Sequence, residues 1–312
     1  MKKIVFSCIL IFLITYSFFF PEITVCAARN GIQIWFHQIL PALLPFTILS
    51  AVLIKSNFLS SFKGNANVVA CLLVMSCGFV FGFPVGAKLS ADFYKQELLS
   101  EKQATVLSIA TNNFSPMYVC GFALSLLFAS KKYNTVTYIL LYLIPLVMLT
   151  VYLLFQNSKH TTSQNNYKNS IKHDTSYFQL NMKTMDNSII SGFESLIKIC
   201  GYIVLFSIIT EILSVMITNI TTNPPLILTL LMGNFEITNG INLLSDIQMD
   251  NPIKYIIAIQ LLSLGGLSGF AQTGSILSDA GLSMHKYIIG KAILSLLLTL
   301  LSVIYVLFIR LL

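Results

Sequence analysis

The sequence predicts an all-α polytopic membrane protein made of two homologous, inverted repeats with broken or re-entrant helices. Three observations lead there. Of the 312 residues, 55% are hydrophobic and only 10% are charged, with a mean hydropathy of +0.79. A soluble domain carries roughly 25% charged residues, so this chain has too little polar surface to stay dissolved as a monomer. Second, several apolar runs approach the roughly 20 residues that a helix needs to cross a bilayer. Third, a short phrase occurs twice, as Gly82-Phe83-Pro84-Val85-Gly86-Ala87-Lys88-Leu89-Ser90 and as Gly269-Phe270-Ala271-Gln272-Thr273-Gly274-Ser275-Ile276-Leu277-Ser278. Each copy runs on to an aspartate, Asp92 or Asp279. Interrupted polar segments at matching places in two membrane halves point to a transporter's solute site.

The elements follow in order. Lys2-Lys3 precede an uncharged run from Ile4 to Phe20, closed by Pro21-Glu22. The run is longer than the usual apolar region of a signal peptide, so residues 1–28 read as a retained membrane anchor in preference to a cleaved signal. The first repeat spans 29–155. It opens on an amphipathic segment in which Ile32, Trp35, Phe36 and Ile39 share a face. Pro41 and Pro45 are then expected to break or kink the helix. Val68 to Phe81 is apolar but too short to span before Pro84. Lys88 and Asp92 stand four apart, as helical ion partners do. Ser100 and Gln103 read as a capping box that starts a helix. That helix meets Thr111-Asn112-Asn113-Phe114-Ser115-Pro116, and apolar sequence resumes at Met117. Thr135 to Phe155 reads as a full span.

Residues 156–187, rich in Ser, Thr, Asn and Gln, form a polar linker. Its His160 and His173 read as solvated loop residues rather than ligands. The second repeat spans 188–312. Shifted by 160 positions, its opening helix lies against the first repeat's, with Pro41 against Gly201 and Phe46 against Phe206. Pro224-Pro225 begin a helix that ends at Gly233-Asn234-Phe235-Glu236. Pro252 to Leu264 is interrupted by Gly265-Gly266, and Ile288 to Leu312 is the last span.

Several classes are excluded. The net charge of +7 comes from lysines scattered at segment ends, which is how membrane proteins orient themselves; a nucleic-acid partner is not expected. The six cysteines form no CxxC pair and lie mostly in apolar runs, so neither a metal nor a cofactor is expected. No nucleophile–base pair or HExxH motif marks an enzyme. Gly82 to Lys88 lacks the spacing of a phosphate loop and has Leu89 where a hydroxyl would bind magnesium.

What remains is the chemistry of interrupted helices. Their N–H ends favour an anionic group and their C=O ends a cation such as sodium, or a proton relay. Candidate substrate-binding residues in the first half are Gly82, Pro84 and Gly86 at the hairpin phrase, Lys88 just inside the next helix, and Asn112, Asn113 and Ser115 at the polar break. Lys88 is equally well read as a surface partner of Asp92. In the second half they are Glu236 and Asn239, Gly265 and Gly266, then Ser268, Gln272 and Thr273. A buried amide or carboxylate in apolar surroundings is costly unless paired, which singles out Asn112, Asn113 and Glu236. Gly78, Gly82 and Gly86 are spaced for close helix packing, which is their plain structural reading.

Taken together, Pro21-Glu22, Gly31-Ile32-Gln33-Ile34-Trp35, Leu40-Pro41-Ala42-Leu43-Leu44-Pro45-Phe46, Gly82 to Lys88, Thr111-Asn112-Asn113 with Ser115-Pro116, and Gly265-Gly266-Leu267-Ser268 with Ala271-Gln272 resemble the sporulation integral membrane proteins that carry nucleoside-recognition, or gate, domains. The resemblance covers nearly the whole chain; Phe83 stands where Tyr is commoner. It implies a transporter-like or channel-like protein of endospore formation, placed in the mother-cell membrane or the outer forespore membrane. The similar stage V proteins are linked to moving dipicolinic acid, a small aromatic dianion, across the outer forespore membrane. The expected partners are therefore the lipid bilayer and a small anionic solute. The gate-domain name suggests a nucleoside as the alternative solute, and a non-transporting membrane scaffold is the rival of a different class.

Overall fold

The computed structural model describes residues 2–56, 66–159, 181–218 and 226–311, and every regular element among them is helical. Helix α1 (Lys2–Phe19) is followed by α2 (Pro21–Ile34), with a bend of 108° between Ile11–Phe19 and Pro21–His37. Helix α2 runs unbroken across residues 28 and 29, where the sequence suggested a boundary between anchor and repeat. It continues through a wide π-helical turn, Trp35–Ile39, into α3 (Leu40–Lys55). Thus Pro41 and Pro45 do not break the helix. A proline has no N–H for the carbonyl four residues back and its ring crowds that carbonyl; a widened turn just upstream relieves both. The same device recurs where α9 (Asn134–Tyr138) passes through the π turn Ile139–Leu143 into α10 (Ile144–Lys159). There the proline is Pro145, again two residues beyond the wide turn.

Between these long elements, α4 (Ala66–Phe81) and α5 (Val85–Lys95) form a helical hairpin. Helix α6 (Glu101–Thr111) starts at the predicted capping box, with Ser100 and Gln103 bonded reciprocally. It breaks at Asn112–Ser115 and resumes as α7 (Pro116–Tyr118), a π turn (Val119–Ala123) and α8 (Leu124–Leu127). The second half opens on α11 (Met182–Thr218), which begins inside the segment read as linker. Residues 160–180 of that segment, including both histidines, and Pro224-Pro225 lie outside the described residues. A second hairpin joins α12 (Leu226–Phe235) to α13 (Ile237–Asp246). Helix α14 (Asn251–Leu264) breaks at Gly265 and resumes as α15 (Gly266–Asp279), and α16 (Met284–Leu311) closes the chain's described part. Each half therefore presents a long helix, a short hairpin, a broken helix and a second long helix, in that order.

Among the described residues, four helical stretches are long and apolar enough to cross a bilayer: Lys131–Phe155, Met182–Ile217, Asn251–Asp279 and Met284–Ile309. Helix α16 shows how they are used. Ile289, Ile293, Leu296, Leu300, Ile304 and Leu307 are exposed on one side, whereas Lys291, Leu294, Ser295, Leu298 and Ser302 are buried on the other. An apolar outer face with polar residues turned inward suits a lipid environment, where the interior is the only place for a polar side chain.

Helix α11 packs antiparallel along α2 and α3. A Cβ on Gly31 would lie 3.0 Å from the Val204 Cα and 3.1 Å from the Ser207 Oγ, and one on Gly192 would lie 3.0 Å from Ile48 and 3.2 Å from the Thr47 Oγ1. Small residues permit this approach. The Trp35 indole crosses the pair, donating to the Leu196 carbonyl at 2.9 Å. Two apolar clusters flank the seam. One gathers Phe93, Leu99, Leu107 and Leu196 around the first hairpin; the other gathers Ile241, Tyr255, Leu262 and Leu298 around the second.

Candidate functional site where the helix breaks meet

The first hairpin is shaped to grip the end of α6. Its turn is Gly82-Phe83-Pro84, with a cis Phe83–Pro84 peptide and Gly82 at φ +71. A Cβ on Gly82 would lie 2.4 Å from the Ser115 nitrogen and 2.6 Å from the Asn113 carbonyl oxygen. On Gly86 it would lie 2.4 Å from the Thr111 Oγ1, and on Gly78 2.6 Å from the Thr111 Cβ. The three glycines, four residues apart, are thus the groove into which the break of α6 fits. The Phe83 N–H donates to the Asn113 carbonyl. Pro84 is buried at the start of α5. For Gly82 and Gly86 the close-packing reading is therefore the one the geometry supports.

The break itself is a dense polar knot. The Asn112 Nδ2 donates to the Thr273 Oγ1 at 3.0 Å and to the Tyr287 hydroxyl at 2.9 Å, which ties it to α15 and α16. The Asn113 Nδ2 donates to the carbonyls of Ala110 (2.8 Å) and Leu141 (3.1 Å). Ser115 caps the resumed helix, accepting from the Tyr118 N–H at 3.3 Å. Into this knot reaches Lys291, whose residue is only 2% exposed. Its ammonium donates to the Asn112 carbonyl at 2.9 Å and to the Asn113 Oδ1 at 2.6 Å. None of the ion pairs among the described residues involves it. The Asn112 Oδ1 is buried without a hydrogen-bond partner.

The second half supplies the facing surfaces. Glu236 is the turn of the second hairpin, where it caps α13 by accepting from the Asn239 N–H at 2.8 Å. Its negative charge is used at a helix N-terminus, and Asn239 contributes through its backbone. The hairpin closes so tightly that a Cβ on Gly240 would lie 2.0 Å from the Gly233 Cα. Beside it, Gly265 and Gly266 break α14 with φ of +86 and +69. A Cβ on Gly266 would lie 3.4 Å from the carbonyl oxygens of Gly233 and Asn234, and one on Gly265 4.0 Å from the Phe114 ring. Ser268 accepts from the Gln272 Nε2 at 3.1 Å, and the Gln272 Oε1 is buried without a partner.

The two Gly-Phe phrases occupy unlike places. Gly82-Phe83 turns a hairpin; Gly269-Phe270 lies within α15, past the break at Gly265. In the order of elements the counterpart of Gly82–Pro84 is Glu236, and the counterpart of Asn112–Ser115 is Gly265. The phrases nevertheless touch, because a Cβ on Gly269 would lie 3.9 Å from the Phe83 ring. Phe83, Phe114 and Tyr118 continue as a line of rings, with centroids 6.0 Å and then 4.8 Å apart. Four interruptions therefore form a chain of contacts: the turn at Gly82–Pro84 meets the break at Asn112–Ser115, which meets the break at Gly265-Gly266, which lies against the turn before Glu236.

Lys88 is not among these contacts. It is partly buried on α5 and faces Asp92, with the ammonium 3.6 Å from the carboxylate. Burial raises the Asp92 carboxyl above its ordinary range, against the pull of Lys88 and then Lys95. Lys291 and Tyr287 are absent from the residues that the sequence singled out. The available signal was a lone lysine inside an otherwise apolar span, since an intramembrane ionisable group is a functional candidate on energetic grounds alone.

Among proteins of known name, the chain is similar to the sporulation integral membrane protein YlbJ of Bacillus subtilis (strain 168). The two are 26% identical over 323 aligned positions, which cover 87% of this chain and 74% of the relative. No family model matches the chain, and no solved structure does. This chain is an integral membrane protein on the strength of its apolar helices and that likeness.

Proposed function

We propose that this protein conducts a small aromatic anion across the outer forespore membrane of a sporulating cell, with dipicolinate as the solute. Its two halves are inverted repeats, and the solute passes where their helix breaks adjoin. The single observation that carries this reading is the buried ammonium of Lys291, held at the meeting of the breaks and in none of the ion pairs among the described residues. A buried ammonium held by neutral oxygens keeps a net positive charge to draw an anion, and the low dielectric screens it poorly. The aromatic line of Phe83, Phe114 and Tyr118 offers ring faces to a flat solute. The sporulation setting rests on the relative's name. The repeat relation rests on the shared order of elements and on the antiparallel contact of α2 and α3 with α11.

Uptake by the purified full chain in proteoliposomes tests the reading. Dipicolinate is expected to enter faster than uridine or adenosine. Lys291→Met and Asn112→Ala are each expected to lower uptake by about tenfold or more, the equivalent of roughly 1.4 kcal/mol, with unchanged reconstitution. Lys88→Gln, which breaks only the pair with Asp92, is expected to keep most of the uptake. Liposomes that accumulate no dipicolinate refute the proposal.

One observation favours a nucleoside instead. The Asn112 Oδ1 and Gln272 Oε1 are buried acceptors without donors, and a sugar hydroxyl or a base amine supplies donors where a dianion does not. Nucleoside uptake exceeding that of dipicolinate in the same liposomes selects this second reading.

A further inference from the structure

The two acceptors of Lys291 belong to a recognisable kind of site. Asn112 ends α6, so its carbonyl lies at the negative end of a half-helix, where the last carbonyls have no intrahelical partner. The Asn113 Oδ1 adds a second neutral oxygen 2.6 Å from the ammonium. The unpartnered Asn112 Oδ1 is a third oxygen of the same dipeptide. Carbonyl oxygens at the C-terminal end of an interrupted membrane helix are the donors that a dehydrated sodium ion takes. An ammonium prefers acidic partners when it is buried, and among the described ion pairs Lys291 has none. It is instead bound by neutral oxygens, as a metal cation of single charge would be.

We infer that the Lys291 ammonium is a tethered cation occupying a monovalent-cation site at the break of α6, and that removing it leaves a site that takes up sodium. Helix α16 delivers the ammonium from its buried face, so the break needs no ion from solution at its carbonyls. If the protein conducts a solute as proposed above, that passage is independent of sodium. The cation site itself does not rest on that reading.

The test uses thermal unfolding of the full chain in nanodiscs, with sodium chloride exchanged for choline chloride at constant ionic strength. Wild type is expected to have the same midpoint in both salts. Lys291→Met keeps the apolar stem and removes the charge; its midpoint is expected to fall in choline and to rise by about 4 °C or more in saturating sodium, since a ligand that binds only the folded state stabilises it. Lys291→Ala, with more space, is expected to respond likewise. Adding Asn113→Ala to Lys291→Met is expected to abolish the sodium response by removing a donor oxygen. A sodium-dependent rise in the wild-type midpoint overturns the inference. So does a variant that responds equally to sodium and choline, or one that cannot be recovered folded in either salt. None of these readouts involves solute uptake, so failure here and failure of the transport reading are told apart.

Discussion

At the scale of single residues, glycines mark where backbones must touch and one where nothing does. Gly82 has a left-handed φ and no space for a Cβ against Ser115 and Asn113. Gly82→Ala is therefore expected to destabilise the fold by about 3 kcal/mol, from backbone strain and displacement of the α6 break together. Gly201, in the middle of α11, has nothing within 4 Å of an added Cβ. Gly201→Ala is expected to be neutral or to stabilise by up to about 1 kcal/mol, because alanine suits a helix interior better. Denaturation of both variants in the same detergent checks the contrast. The Gly78, Gly82 and Gly86 spacing was legible in the sequence as a packing stripe. Its partner was not, since nothing in the spacing says that Thr111 and Asn113 fill it. Lys291 was legible only on energetic grounds; near the end of an apolar run it reads like any lysine that stretches toward water.

At the scale of elements, the termini of α6 carry most of its information. The Ser100 hydroxyl accepts from the Gln103 N–H at 3.2 Å, and the Gln103 Oε1 accepts from the Ser100 N–H at 3.0 Å. Gln103 also exchanges two bonds with Asn67 on α4, at 3.1 and 3.2 Å. Ser100→Ala is expected to destabilise by about 1 kcal/mol, the usual effect of losing a cap. Gln103→Ala is expected to exceed it, because it also leaves the Asn67 Oδ1 without its donor, while the Asn67 Nδ2 keeps the Leu98 carbonyl. Thermal midpoints of the two variants rank them. The capping box, the short α4 and the polar break after Thr111 were all readable, since each is written in local residue types. The wide π turns at Trp35–Ile39 and Ile139–Leu143 were not. Pro41 and Pro45 predicted a break, whereas the helix widens just before Pro41 and carries Pro45 inside a regular stretch. The repeated Gly-Phe phrase marks a similar limit: two copies of one local sequence sit on a hairpin turn and inside a helix, because tertiary packing decides which glycine becomes a bend.

At the scale of the whole molecule, the seam between the halves holds the candidate site, and its polar knot draws on α6, α15 and α16 together. Asn112 touches Thr273 and Tyr287, and Lys291 returns the contact from the last helix. No alignment of local motifs predicts that meeting, because it joins residues more than 160 positions apart. Breaking the knot from either side is expected to be non-additive. Asn112→Ala combined with Tyr287→Phe should destabilise by less than the sum of the two alone, by about 1 kcal/mol, as residues in one hydrogen-bond network do. A double-mutant cycle on unfolding free energy measures the difference.

The contact of α2 and α3 with α11 has a consequence for assembly. Gly31 meets Val204 and Ser207, while Gly192 meets Thr47 and Ile48. Near the start of each long helix a glycine receives the later part of the other, so each half shows its neighbour the same surface. Reciprocal contacts of this kind are what an isologous interface makes. A gene cut within the codons for residues 160–180 should yield two fragments that find each other in one membrane and copurify.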